Sequence, residues 1–449
     1  MRRTRQVEPG ERELPPSVWV DTCNDSWLPR PSLHGDLEVD TLIIGGGYSG
    51  LWTAYWLQQL DPGRRVAVVE AQVCGFGASG RNGGWASALL PHPRADLVGI
   101  MRAAVDELGE TCAHESIDCD FAKGGTFTLA RNPAHLEDLQ QLDEHSVWLD
   151  AEQVHAEFAV SGALGAAFTV DCAALHPAKL VRQLASVVQR HTPMYEHSRV
   201  ERYGDQRALV MSRSGRFEVR YRSVLRCTEG YSADLAQAHR ELVPIASMMI
   251  ATEPLSASMW DEIGLQHRST FTDGRALIVY GQRTADDRIV FGGRGAPYRF
   301  GSGTCVSTRP DSPIFGHLEA ELHRMLPQLE GTTITHRWGG VLGVARDYDV
   351  MIDFDPSTGE GFAGGFVGDG VTTSFVAGRT LAELVTGTSS VRTESSLVRS
   401  TRRRWEPEPL RWAGINAATA LAGWCDRSEA ATQRTSRFAR AMLERLTGG

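Results

Sequence analysis

The chain has 449 residues, 42% of them hydrophobic and 22% charged, with a formal net charge of −9 at pH 7. That length buries a large core and fits two domains plus accessories, while the acidic balance argues against a nucleic-acid-binding face. No run approaches the roughly 18 uninterrupted apolar residues of a membrane span, and the eight scattered cysteines include no C-x-x-C pair, so no metal site is expected.

No apolar segment follows the opening MRRTRQ, so the expectation is a chain that is not exported and keeps its thiols reduced in a cytoplasm. Residues 1–38 are polar, with Pro15, Pro16, Pro29 and Pro31, and read as an extended arm anchored by Trp19 and Trp27. The organising stretch follows at residues 40–85. Thr41–Ile44 is a short β-branched run, and Gly45, Gly47 and Gly50 give G-x-G-x-x-G at the mouth of a helix, Tyr48–Leu60, apolar at a period near 3.6. Pro62-Gly63 stops that helix, and Val66–Val69 returns as a second strand ending in Glu70.

Each of these positions has a physical reason. Gly45 permits the tight turn, Gly47 lets backbone approach a pyrophosphate, and Gly50 lets the helix pack closely on the sheet. The helix N-terminus offers N–H groups to phosphates. Glu70 falls about 20 residues on, where a carboxylate accepts ribose hydroxyls. It would repel a 2′-phosphate, so the dinucleotide is FAD or NAD, not NADP. A second small-residue loop, Gly77-Ala78-Ser79-Gly80-Arg81-Asn82-Gly83-Gly84, suits the longer of the two.

GGGYSG, VVEA and GASGRNGG together resemble the FAD-dependent amine oxidoreductases of the D-amino-acid oxidase superfamily, in the branch containing gamma-glutamylputrescine oxidase. The resemblance spans about residues 15–425. It implies an α/β fold: a Rossmann-type, glutathione reductase-like FAD-binding domain with a second α+β substrate domain on a mixed, largely antiparallel sheet. The implied division is an arm at 1–38, cofactor segments 39–90, 151–240 and 336–390, substrate segments 91–150 and 241–335, and a helical tail at 391–449. Non-covalent FAD would be held by Tyr48, Ser49, Ala71, Ala78, Ser79, Arg81, Asn82, Gly83 and Gly84 besides the glycines and Glu70 above.

Further along, helices are expected at Ala95–Cys112, Ala134–Leu142 and Ala151–Phe158, and a strand pair at Phe121–Ala130. Another helix starts at Pro177, a residue suited to a first turn, with His176 capping it. Short strands at Arg199–Tyr203, Arg216–Arg222 and Val224–Arg226 have hairpin spacing. By resemblance, Val200 meets the adenine, and Cys227, Thr228, Glu229 and Gly230 form a second cofactor element. Strand-like runs at Pro244–Thr252, Ala276–Tyr280 and Arg288–Gly293 resemble substrate-domain strands. Alternation puts Met248 and Met249 on opposite faces, so at least one fills core. A helix is read at Leu318–Leu326, and Trp338-Gly339-Gly340 resembles a signature near the flavin ring.

The third cofactor element, residues 359–387, runs through Gly368, Asp369, Gly370, Val371, Thr372 and Thr373 into a helix, Val371–Val385, whose N-terminus would face the flavin. Many relatives have Gly-His-Gly here. A carboxylate aimed at the flavin would oppose negative charge, so Asp369 is expected to turn away and cap the helix, with binding of the substrate amine as the alternative. Tyr231, Tyr280, Arg294 and Trp338 are the candidate catalytic and substrate-pocket residues: Tyr280 and Trp338 as aromatic walls for an alkylammonium, Arg294 as a clamp for a substrate carboxylate.

The reaction implied is hydride transfer to flavin N5 from a carbon bearing nitrogen in a small-molecule amine or amino acid, then hydrolysis of the imine. Sarcosine oxidase-like relatives use a lysine over the flavin for oxygen; the only lysines here are Lys123 and Lys179, and none lies between Phe271 and Arg294. Both O2 and a separate electron carrier therefore remain as acceptors. An NAD-dependent dehydrogenase is the rival enzyme, disfavoured by the second and third cofactor elements; a non-catalytic flavoprotein is the other alternative.

Overall fold

Thr41–Ile44 and Val66–Val69 are buried at every residue, as a parallel sheet covered on both faces requires. A computed structural model of the chain describes residue 14 and residues 16–447, except 91–93, 143, 307–308, 310 and 401–402. The first part of the arm, with MRRTRQ and Pro15, thus lies outside the described residues, as do the last two residues of the tail.

The two strands pair in parallel, Thr41 with Val66 through Ile44 with Val69. Ser223–Arg226 joins the other side of Thr41–Ile44 in parallel, and Glu360–Gly364 joins it in turn. Met351–Asp355 and Met194–Tyr195 complete the edges of a six-stranded sheet. The three expected cofactor elements, remote in sequence, therefore supply adjacent strands whose ends lie side by side. Helices Tyr48–Leu60 and Gly370–Thr386 pack against one another in its main core, Trp52 meeting Phe375 edge-on at 4.9 Å. Their crossing is tight because Gly378 has no side chain.

The second sheet has eight strands, ordered Ile334–Ala345, Leu242–Thr252, Ile289–Gly293, Val279–Arg283, Thr270–Asp273, Thr126–Ala130, Gly165–Thr169 and Ser146–Asp150. Among these pairings only Thr126–Ala130 with Thr270–Asp273 is parallel. This is the mixed, largely antiparallel sheet expected. Two boundaries differ from the sequence reading. Gly165–Thr169, and all of Ile334–Ala345 from residue 336 onward, placed with the cofactor segments, belong to this sheet. Sheet membership is decided by the partner strand, which a local pattern does not name. Ser223–Arg226 likewise leaves the expected hairpin, which is completed instead by Arg207–Ser212 between Ser198–Gly204 and Gly215–Arg220.

The helix at Pro177–Gln189 starts as read, His176 Nδ1 accepting from the Lys179 N–H at 3.2 Å. Met248 sits in the core of the eight-stranded sheet while Met249 packs in a separate cluster with Trp19 and Trp338, the alternation expected. The tail forms helices Leu410–Thr432 and Arg437–Thr447, the first docked by Asp426 accepting from the Ala276 and Leu277 N–H groups. No helix among the described residues is long and apolar enough to cross a membrane.

At Gly378 an added Cβ would lie 2.6 Å from Trp52 Cβ and 2.8 Å from the Thr53 nitrogen. Gly378→Ala should therefore cost about 1–2 kcal/mol net, overpacking outweighing the roughly 1 kcal/mol that alanine gains in helix propensity. A lower urea midpoint at unchanged m-value would register it.

Candidate cofactor and substrate site

The strand ends of the six-stranded sheet open on a cavity with about 1330 Å³ of atom-free space, its open mouth included. The glycine turn is sterically compulsory. Gly45 has φ +112°, and a Cβ there would sit 2.5 Å from Cys227 O; one on Gly50 would sit 2.1 Å from Gly45 O. Beside Gly47 the Ser79 hydroxyl accepts the Tyr48 N–H at 2.9 Å, joining the second small-residue loop to the helix N-terminus.

Glu70 lines the cavity at the end of its strand and accepts from the N–H groups of Gly46 and Gln72 at 2.7 and 2.8 Å. Burial pushes its carboxyl upward, against those hydrogen bonds. Val200 and its neighbours Ser198 and Arg199 line the same cavity. So do Gly370, Val371 and Ser374 of the second helix. Two helix N-termini thus face one space, an arrangement suited to a ligand with anionic groups at separated points.

A smaller cavity adjoins it, sharing Ala78, Asn82, Leu342, Gly368 and Val371. Arg81, Gly83, Trp85, Ser247, Met249, Ile278, Tyr280, Arg294, Gly340 and Asp369 line the rest. The Tyr280 ring is wedged between backbones: a Cβ on Gly83 would meet it at 2.7 Å and one on Gly292 at 2.8 Å. Its hydroxyl lies 2.8 Å from Ser247 Oγ. Arg294 donates from Nη2 to Val367 O at 2.7 Å.

Comparison with known proteins decides the family. The model of the family described as FAD dependent oxidoreductase matches residues 40–384. The chain belongs to that family. It is 27% identical over 399 residues to the gamma-glutamylputrescine oxidoreductase of Escherichia coli (strain K12), covering 83% of this chain and 89% of that one. It is 26% identical over 404 residues to the probable oxidoreductase OrdL of Haemophilus influenzae, covering 83% and 88%. Among solved structures, glycine oxidase from Geobacillus kaustophilus superposes with a TM-score of 0.68 at 18% identity, over 79% of this chain and 96% of that one. L-proline dehydrogenase from P. horikoshii gives 0.67 at 17%, over 81% and 100%.

FAD fits the larger cavity by the chemistry of its lining: a turn that excludes side chains, a carboxylate at the second strand, and a helix N-terminus at either end. Of the residues expected to hold it, Gly45, Gly47, Tyr48, Ser49, Glu70, Ala71, Gly77, Ala78, Ser79, Asn82, Val200, Cys227, Thr228, Glu229, Gly368, Gly370 and Val371 line that cavity. Arg81, Gly83, Gly340 and Asp369 line the smaller one instead. Gly50, Gly84, Gly230, Thr372 and Thr373 line neither. Gly50, Gly84 and Gly230 pack against neighbouring atoms, and Thr373 Oγ1 donates to Asp369 O.

Three expectations are corrected. Trp338 is no pocket wall: its indole is fully buried and donates to Arg81 O at 3.0 Å, packed beneath Met249, its cross-strand partner, and against Trp19. Tyr231 lines the cofactor cavity rather than the smaller one, its hydroxyl accepting from Arg81 Nη2 at 3.0 Å. Asp369 stands at the N-cap position but its side chain caps nothing.

Sequence reasoning missed Gln72, Phe76, Ser198, Asp234, Leu342 and Phe366 in the larger lining; only the neighbours of known motifs could have signalled them. It also missed what holds the loop at 77–84. Trp19, from the arm, donates to Asn82 O at 2.8 Å. With Trp338 on Arg81 O, two indoles packed edge-on at 6.4 Å fix consecutive carbonyls.

Glu229 is the other unforeseen support. At a left-handed φ of 44°, its carboxylate accepts from the N–H groups of Gly343 at 3.1 Å, Gly365 at 2.9 Å and Phe366 at 3.2 Å. Burial pushes its carboxyl from 4.5 up to about 7, against those donors. The protonated form therefore stabilises the fold fully below its ordinary value, and that contribution is lost as pH rises through about 7. Relative to wild type, Glu229→Gln should gain on the order of 3 kcal/mol between pH ~4.5 and ~7 and stay level above. Urea unfolding of both proteins across that range measures it.

Proposed function

We propose that the protein oxidises the C–N bond of a primary or secondary amine or amino acid to an imine, which water then hydrolyses, with O2 as the terminal acceptor. The observation that carries this reading is the smaller cavity, which opens on the cofactor cavity at Ala78, Asn82, Leu342, Gly368 and Val371 and holds one carboxylate and two guanidinium groups between apolar walls. The relatives' names support it, since gamma-glutamylputrescine, glycine and proline are all nitrogen compounds. Bound FAD would supply the hydride acceptor and the centre from which electrons pass to oxygen.

The chain's own residues bind, orient and keep water away. Met249, Ile278, Leu342 and the Tyr280 ring exclude water from a short aliphatic chain. Tyr280, fixed by Gly83, Gly292 and Ser247, offers a rigid face to a cationic nitrogen. Arg294 reaches a substrate carboxylate with the nitrogens that Val367 O leaves over. The N-terminus of Gly370–Thr386 favours negative charge gathering beside it.

The two lysines stay out of this chemistry. Lys179 pairs with Asp120 at 2.8 Å and Lys123 with Asp106, and neither lines a cavity. Oxygen would therefore meet Arg81 or Arg294 as its nearest cation; if neither serves, a separate electron carrier is the acceptor. All eight cysteines are free, in keeping with a cytoplasmic site of action.

Purified protein, kept anaerobic, should lose its flavin absorbance on addition of one of a panel of amines and amino acids, and readmitted air should restore it with formation of H2O2. Bleaching without reoxidation by air would move the reading to a dehydrogenase. Arg294→Gln should raise KM for a carboxylate-bearing amine about 10- to 100-fold, the worth of a charge-assisted hydrogen bond, and change KM for a plain alkylamine little. Steady-state kinetics on the two substrates compare them.

A further inference from the structure

The feature with no task so far is Asp369. It stands where a helix cap belongs, yet its side chain makes no cap hydrogen bond, and among the described residues its carboxylate accepts none. It lines the smaller cavity and is half-buried there. Arg294 attracts it, but the two are not in ion-pair contact, and Arg294 is tied to Val367 O. Arg81, the other cation of the cavity, donates to Gly77 O, Gly339 O and the Tyr231 hydroxyl. Tyr280 is held at Ser247. These are the charged and titratable groups around the carboxylate, and none of them satisfies it.

A half-buried carboxylate with no protein donor, set in a cavity of apolar walls, favours an occupant that brings N–H donors and positive charge. An alkylammonium does both. Oxidation, however, needs the nitrogen neutral, its electron pair available. We propose that Asp369 binds the substrate amine as its ammonium ion and accepts one of its protons, so that the cavity selects alkylammonium compounds and presents them as neutral amines. In this step one N–H bond breaks, an O–H bond forms on an Asp369 carboxyl oxygen, and the electron pair stays on nitrogen. No oxidant is consumed. In water the transfer from an amine would be steeply uphill; inside the cavity burial disfavours both charged partners and narrows the gap. Consistent with this, burial pushes the Asp369 carboxyl up to about 6 while Arg294 pulls it down, leaving it ionised yet near the neutral range where a base works well.

The inference rests on the amine-oxidation reading above, and its test separates the two. Holoenzyme is titrated calorimetrically with n-butylamine, n-butanol and butyrate between pH 7 and pH ~10.5. Wild type should bind butylamine at least tenfold more tightly than butanol at pH 7. Asp369→Asn should weaken butylamine binding at least tenfold at pH 7 and leave butyrate binding unchanged or tighter. The deficit should shrink as pH nears about 10.4, where the amine arrives neutral. Rates of anaerobic flavin reduction by an oxidisable amine should follow the same recovery. Equal binding of butylamine and butanol by wild type, an unaltered Asp369→Asn variant, or a deficit that persists at every pH would each overturn the proposal. The wild-type comparison needs no variant to fold. Tight butylamine binding with no amine able to bleach the flavin would instead sink the oxidation reading and leave the ammonium site standing.

Discussion

One half-buried carboxyl group ties the two sheets together beside the cofactor cavity. Glu229 accepts three backbone N–H groups from two places far from it in sequence, Gly343 on the eight-stranded sheet and Gly365-Phe366 beyond the last parallel strand. Gly343 faces Pro244 across its ladder, and proline has no N–H to exchange, while Gly365 and Phe366 lie past the end of their strand; backbone N–H groups left unpaired there would oppose folding. The glycines around it mark how closely the chain gathers: a Cβ on Gly343 or Gly364 would come within 2.9 or 2.8 Å of the Glu229 carboxyl. A non-glycine residue with left-handed backbone persists only where its surroundings over-determine it, and here three donors do so.

The two cavities are built from different materials. The larger is framed by a turn that excludes side chains, two helix N-termini and strand ends of one parallel sheet, with side chains such as Glu70, Phe76 and Tyr231 between them. Such a surface suits phosphates and ring edges, whose demands are geometric and fixed. The smaller cavity is made of side chains, with Tyr280, Arg294 and Asp369 set among Met249, Ile278 and Leu342. Side chains can be exchanged without disturbing the sheet that carries them, so the second cavity can change its ligand while the first stands.

Much of the first cavity was legible in the sequence because its constraints are local. Gly45, Gly47, Gly50 and Glu70 lie within one βαβ unit, and each spacing follows from the steric needs of a turn, a phosphate and a ribose. The second cavity was less legible. Trp338 and Tyr280 are aromatic strand residues on the same face of the sheet, and only the long-range packing of Met249 and Trp19 over Trp338 leaves one at the cavity and the other beneath it, supporting Arg81 O. Asp369 was misread for a related reason: its position at a helix start suggested a cap, but the direction of its side chain is set by the preceding loop. Glu229 had no signal as a tie, since its donors come from segments more than a hundred residues away. The boundary errors at Gly165–Thr169 and Ile334–Ala345 share that cause, because pairing partners are a property of the whole fold.

The paired indoles have a bearing on how the molecule is made. Trp19 emerges early in synthesis, the loop it steadies follows within about 65 residues, and Trp338, its neighbour on the next carbonyl, emerges in the last quarter of the chain. The arm therefore waits for most of the protein before its lodging exists. Until the strand bearing Trp338 has paired, the loop at 77–84 lacks one of its supports, though Gln282 also donates to Gly83 O and Gly84 O. A chain cut short before Trp338 would carry the dinucleotide motif intact in sequence but lack the indole that holds Arg81 O.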